Sequence, residues 1–429
     1  MISQGILPFK IEHTEEQITP RSGLALFAEV IRALDVRRKV EGHFPEPGSN
    51  RGYEAWSYIE PVLLMLEGGG RHIEDLREIR DDGALRQLVG IGEMPSLSAY
   101  GDWLVRAGRN GGREAMEKVD EETAETIHRR TGTSDYTLDV DATVIEAEKE
   151  KAAMTYKKVK GYQPILGFLA ENGVCLSHEF REGNVPAQAG ALKFLKRCLK
   201  LCPKIKRLRS DSAFYQAKVI NWCEKKGVGF TITADQDVAV KEVIRTVRDW
   251  KPLLDEEGEE TDREVGTAIH SLQKTEQPLR LVVQRWRNPQ PSLFEPQGWY
   301  YHVIATNRDD LSAKEVVRFH NQRGQAENEI KELKIGFGME QMTSGEFAAN
   351  ALWFALGVLV YNLTQAQKLL FLDLEWRPKT VATLRWQLIQ TAGRMVRHGR
   401  QLILRLAVSV EKYFLFLRIR ERLRAFSLT

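Results

Sequence analysis

A switch in hydropathy pattern at Thr131 constrains this 429-residue chain more than any other feature. Before it, amphipathic helical segments around Gly23–Val40, Tyr53–Leu66, Arg71–Arg80 and Arg113–Arg130 are separated by polar breaks such as GHFPEPGSNRG. After it, YTLDVDATVI has the period of a strand, and GYQPILGFLAENGVCLSHEF that of a hairpin turning at Glu171-Asn172-Gly173. AGALKFLKRCLKL then reads as a helix, KRLRSD as a short strand, FYQAKVINWCEKK as a helix and GVGFTITAD as another strand. Hairpin-joined strands followed by alternating helices and strands call for a mixed α/β sheet.

This order resembles the ribonuclease-H-like topology. A polar stretch over 236–298 is too long for a loop in a compact domain and reads as an inserted subdomain. The strand WYYHVIATN resumes the core, and a helix over Ser312–Lys334 follows, capped by Ser312 with Glu315 three residues on. Three regions result: a helical amino-terminal domain over 1–130, an α/β domain over 131–346 and a helical carboxy-terminal region over 347–429. The longest apolar stretch, Phe347 to Leu363, includes Asn350, Gly357 and Asn362 and sits near the lower limit for a membrane span. It reads as a buried core helix, with no membrane partner.

The net charge is only +3, but it is unevenly placed. From Glu375 onward there are twelve Lys and Arg against Glu375, Glu411 and Glu421, and the run Lys193–Arg209 has no acid. Such blocks suit a polyanion, whose condensed counterions are released on contact; a solvated helix face is the plainer alternative. Cys175, Cys198, Cys202 and Cys223 are irregularly spaced. Cys198 and Cys202 lack a second pair at zinc-ligand spacing, so all four read as buried or structural thiols. The first residues, MISQGILPFKIEH, carry no signal pattern, and a reducing cytoplasm is the expected compartment.

Residues two apart in a strand share a face, so Asp139 and Asp141 project together, and Asp211 ends the strand that begins near Arg207. Carboxylates at strand ends are costly unless a cation or hydrogen bonds compensate. On the later helix, at about 100° per residue, His320, Arg323, Glu327 and Lys334 fall within an arc of roughly 60°, with Lys331 nearby. Glu329 and Glu332 point away from it. An i,i+4 pair between Arg323 and Glu327 is the commoner explanation of such spacing.

The spacing His320-x2-Arg323-x3-Glu327-x6-Lys334 in HNQRGQAENEIKELK resembles the Tyr-Arg-Glu-Lys signature of a superfamily of insertion-sequence DDE transposases, with His for Tyr. LDVDAT looks like its Asp-x-Thr strand, RSDSAFY like its second-aspartate turn, and the chain is most similar to insertion-sequence family 1380. The resemblance implies a DNA transposase in which Asp141, Asp211 and Glu327 bind two Mg²⁺ or Mn²⁺ ions. Asp141 bridges both ions, and Asp139 stands behind it or takes its place. It implies that His320, Arg323, Lys331 and Lys334 contact double-stranded DNA, the element's terminal inverted repeats and a target. It also implies an amino-terminal DNA-binding domain, a homodimer on DNA and a cytoplasmic, nucleoid-associated prokaryotic setting. In some relatives a Trp replaces a flipped base during hairpin formation; Trp299 occupies a similar place, and Trp286 competes with it. A metal-dependent nuclease without strand transfer and a non-catalytic transposase-derived DNA-binding protein remain the alternatives.

Overall fold

The computed structural model describes residues 9–47, 52–255, 257–287 and 298–427. The start of the chain, on which the leader reading rests, and parts of the GHFPEPGSNRG and RWRNPQPSLFEPQG breaks lie outside the described residues.

The amino-terminal helices include Gly23–Ala33 (α1), Ala55–Gly68 (α2) and Arg113–Arg130 (α3). On α3 the residues Met116, Val119, Thr123, Ala124 and Ile127 recur at helical spacing and are all buried. This stripe faces the strand and the apolar helix introduced below.

Among the described residues a nine-stranded sheet forms the centre. Its first three strands, Tyr136–Ala142 (β1), Ile165–Leu169 (β2) and Val174–Glu179 (β3), are an antiparallel meander. The expected turn lies between β2 and β3, where Gly173 has φ +68° and a Cβ would come within 2.8 Å of Glu329. The left-handed backbone there favours glycine. Helix Ala191–Leu201 (α4) crosses to strand Ile205–Ser210 (β4), and helix Ala217–Lys226 (α5) crosses to Gly229–Thr233 (β5), both strands parallel to β1. The spatial order β3-β2-β1-β4-β5 is the ribonuclease-H-like arrangement.

The inserted stretch extends this sheet. After helix Val238–Thr246 (α6), strands Lys251–Leu254 (β6), Glu260–His270 (β7) and Leu279–Arg287 (β8) lead to Trp299–Thr306 (β9), which pairs antiparallel with β5. The full order is β6-β7-β8-β9-β5-β4-β1-β2-β3.

Helix Ala313–Asn321 (α7) starts with the expected capping box, Ser312 Oγ accepting from Glu315 N at 3.3 Å and Glu315 Oε2 from Ser312 N at 2.8 Å. The single helix expected through Lys334 is broken: after a turn at Gln322–Arg323 a second helix, Gly324–Lys331 (α8), begins, with a wider helical turn at Glu332–Gly336. Glycine at position 324 weakens the helix where it breaks. Val316 and Val317 of α7 pack onto Val265, Val282 and Ile304 of the extended sheet.

The apolar run forms helix Phe347–Ala366 (α9), buried along nearly its whole length against α2, α3 and β3. Trp353, Phe354, Leu356 and Leu359 are fully buried, each contributing about 1.5–3 kcal/mol. Its two asparagines are satisfied. Asn362 accepts from Cys175 N and donates to Cys175 O, both at 2.9 Å, closing part of the free edge of β3. Asn350 donates to the Tyr162 hydroxyl at 3.0 Å.

The carboxy-terminal region was expected to be helical throughout. It also contains a hairpin, Gly393–His398 (β10) and Gln401–Leu406 (β11), which joins Ile18–Thr19 in a small sheet before the last helix, Val410–Ser427 (α10). The Lys193–Arg209 run likewise is not one basic surface. Arg197 pairs with Glu121 at 3.2 Å, Arg207 with Glu171 at 3.4 Å and Arg209 with Asp139, leaving the lysines outward.

Candidate active site

Strand register assembles the site. β1 and β4 run parallel with Asp139 opposite Arg209 and Val140 opposite Ser210. The next residues, Asp141 and Asp211, are thus neighbours at the carboxyl ends of adjacent strands, on the same face as Asp139 and Arg209.

One step back from the strand ends, the charges cancel. Arg209 holds both oxygens of Asp139, at 2.6 and 2.7 Å, with both side chains almost fully buried. Arg209 also donates to Phe319 O and Gln322 Oε1, each at 3.0 Å, tying β4 to the end of α7. Each Asp139 oxygen is thus engaged by an Arg209 nitrogen.

At the strand ends the charges do not cancel. Burial pushes Asp141 up to about 7; the carboxylates of Asp211 and Glu327 add to this, and Arg323 opposes it. Burial likewise raises Asp211, again against Arg323, and the Asp235 carboxylate adds to the rise. Asp211 Oδ1 accepts from Ala213 N at 3.1 Å, which fixes the turn after β4. Arg323, at the start of α8, lies 3.5 Å from Asp141 Oδ2 and donates to Glu327 Oε1 at 3.1 Å. Glu327 then lines a cleft of about 310 Å³ with Asp141, Thr143, Lys331, Lys334 and Glu340. Lys334 donates to Val144 O at 2.8 Å, and Lys331 is exposed.

Among the described residues no three His, Cys, Asp or Glu side chains close into a metal-holding group, and Arg323 bridges Asp141 and Glu327. The donor set still fits a hard divalent cation. It offers only carboxylate oxygens, and a cation would favour the ionised form of Asp141 that burial disfavours.

Two expected residues sit elsewhere. His320 does not line the cleft: it is 3 % exposed, with ring nitrogens 3.0 Å from Thr233 Oγ1 and 3.1 Å from Thr231 Oγ1. The break at Gln322–Arg323 puts it on a different helix from Glu327, and it fastens α7 to β5. Trp299 lies opposite Arg287, on the sheet face away from the acids, between the Arg285 and Arg287 guanidinium groups at 4.3 and 4.2 Å. Register instead puts Trp286 and Tyr300 on the acidic face, in line with His302, Ile304 and Thr233. Asp235, just past the end of β5, is a neighbour that sequence reasoning missed. Its signal was present: an acid at the carboxyl end of the third parallel strand.

Fold and strand-end acids define a ribonuclease-H-like protein with an acidic candidate centre. A family model described as transposase DDE domain group 1 matches residues 7–428. The chain belongs to that family. No curated protein matches it. Among solved structures it is similar to a cryo-EM structure of the piggyBac transposase synaptic complex with hairpin DNA, with a TM-score of 0.44 and 11 % identity, covering 95 % of this chain and 80 % of that one.

Proposed function

We propose that this chain cleaves DNA at insertion-sequence ends and joins the freed 3′-hydroxyl to target DNA, as a member of the Tyr-Arg-Glu-Lys superfamily close to insertion-sequence family 1380. Asp141, Asp211 and Glu327 would hold two Mg²⁺ or Mn²⁺ ions. Bound there, such ions supply activation of the attacking oxygen and stabilisation of the leaving one. The observation that carries the reading is the meeting of Asp141 and Asp211 at adjacent strand ends with Glu327 of α8 through one shared arginine.

The chain's own groups do the positioning. Asp139 and Arg209 anchor α7, and hence α8, to the strands that bear the aspartates. Arg323 pairs with both Asp141 and Glu327; once released, its planar fork would suit a phosphate beside the scissile bond. Lys331 and Lys334 flank the same cleft and would steady the adjoining phosphates. Strand joining separates this reading from a nuclease of the same fold: with pre-cleaved ends, a target plasmid and Mg²⁺, joined products are expected. Cutting without any joining would favour the nuclease.

A further inference from the structure

The positive charge of the carboxy-terminal region is used in two different ways. On α10 three of the five basic residues pair with the protein's own acids: Arg420 with Glu29 at 2.8 Å, and Arg418 and Arg422 with Asp373 at 3.5 and 2.6 Å. On the β10–β11 hairpin most do not. Arg394 meets Glu16 at 3.0 Å and Arg397 faces the Gln87 carboxamide. Among the described residues, the exposed side chains of His398, Arg400 and Arg405 have no ion-pair or hydrogen-bond partner.

The backbone presents these groups together. Gly399 and Arg400 have φ of +56° and +64°, a two-residue turn with both central residues left-handed, which puts an arginine at the tip. Gly393 and Met395 are buried, so alternation turns Arg394, Val396 and His398 outward, with Arg405, Ile403 and Gln401 opposite them. Arg394 and Arg405 are direct cross-strand neighbours, a like-charge pairing that Glu16 offsets on the Arg394 side only. Only the base of the ribbon is paired to a third strand, at Ile18–Thr19.

Resting on the transposase reading above, we infer that the outer face and tip of β10–β11 grip the phosphates of duplex DNA through Arg400, Arg405 and His398, with Arg394 shared between Glu16 and the duplex. A two-stranded ribbon is narrow enough to enter the major groove. The grip is a surface apart from the acidic cleft.

The test is anisotropy of a fluorescent random-sequence duplex titrated with the full chain over a range of NaCl. Arg400→Asn with Arg405→Thr keeps residues that suit the turn and the strand. With two phosphate contacts gone, the slope of log affinity against log salt is expected to fall by about 1.8, and affinity to drop roughly tenfold or more. Arg400→Lys with Arg405→Lys should keep the slope, and the exposed control Lys225→Gln with Lys226→Gln should match the wild type. An unchanged slope in the Asn/Thr variant overturns the hairpin grip alone, as does an equal drop in the Lys variant or in the control. A wild-type chain that does not bind duplex DNA at low salt overturns both the grip and the transposase reading.

Discussion

Arg323 stands 3.5 Å from Asp141 Oδ2 while its other terminal nitrogen donates to Glu327, so one guanidinium spans two carboxylates of the acidic centre. If that arginine passes to a phosphate when metal enters, Arg323→Ala should weaken DNA-end binding or cleavage roughly ten- to hundredfold while leaving the metal requirement intact. Arg323→Lys should recover only part, because an ammonium lacks the planar fork. A simple helix pair is worth a few tenths of a kcal/mol. Binding isotherms and single-turnover cleavage decide it: normal end binding and cutting by Arg323→Ala would reduce the residue to that minor role.

Asp139 and Asp141 share a face but should respond differently to neutralisation. Asp139→Asn leaves the buried Arg209 uncompensated and is expected to cost about 3–5 kcal/mol in urea unfolding. For Asp141, whose folded value is raised to about 7, the metal-free native state favours the protonated acid. Stability should therefore decline as pH rises from about 4 to about 7, and Asp141→Asn should remove that decline. Equal stability losses from the two substitutions at pH 7 would contradict the division of roles.

His320 supplies the opposite pH dependence. Burial, with His302 and Arg323 nearby, lowers it to about 3, so it is neutral in the native state and protonates in the unfolded chain below about 6.5. Its contribution is complete above that value and is lost as pH falls towards 3. His320→Gln should flatten this part of the profile of urea midpoint against pH. Parallel profiles for variant and wild type would show that His320 titrates normally.

The tryptophans separate by sheet face. If an unpaired base is held over the acidic face, Trp286→Ala should lose about 1–3 kcal/mol of stacking and slow the step that follows the first nick, with Trp299→Ala close to wild type. Product time courses on pre-nicked ends provide the comparison, and the reverse ranking would point to Trp299.

Much of the core was legible because its signals are local. The period-2 pattern located β1 and hence Asp141, the Glu171-Asn172-Gly173 turn followed from its residue types, and Ser312 announced its own cap. What escaped depends on partners distant in sequence. Asp139 could not be separated from Asp141 without knowing that β4 places Arg209 beside it. His320 was assigned by helical angle, which fails across the break at Gln322–Arg323. Glu329 was correctly turned from the cleft, but it is no idle surface acid: the Tyr361 hydroxyl donates to it, so Glu329→Gln acts on the packing of α9. The β10–β11 hairpin was hidden by a mixture of arginine and leucine that reads equally well as a basic helix.

The central claim is that Asp141, Asp211 and Glu327 act as one metal-binding centre on DNA. Its most direct measurement is nucleotide-resolution mapping of products from DNA carrying the element's own terminal repeats, with and without Mg²⁺ or Mn²⁺. The wild-type chain is compared with Asp141→Asn, Asp211→Asn and Glu327→Gln. Cleavage at the ends by the wild type only with metal, and its loss in each variant while end binding persists, is the expected result. Full metal-dependent cutting by any one variant would remove that residue from the centre and contradict the assignment.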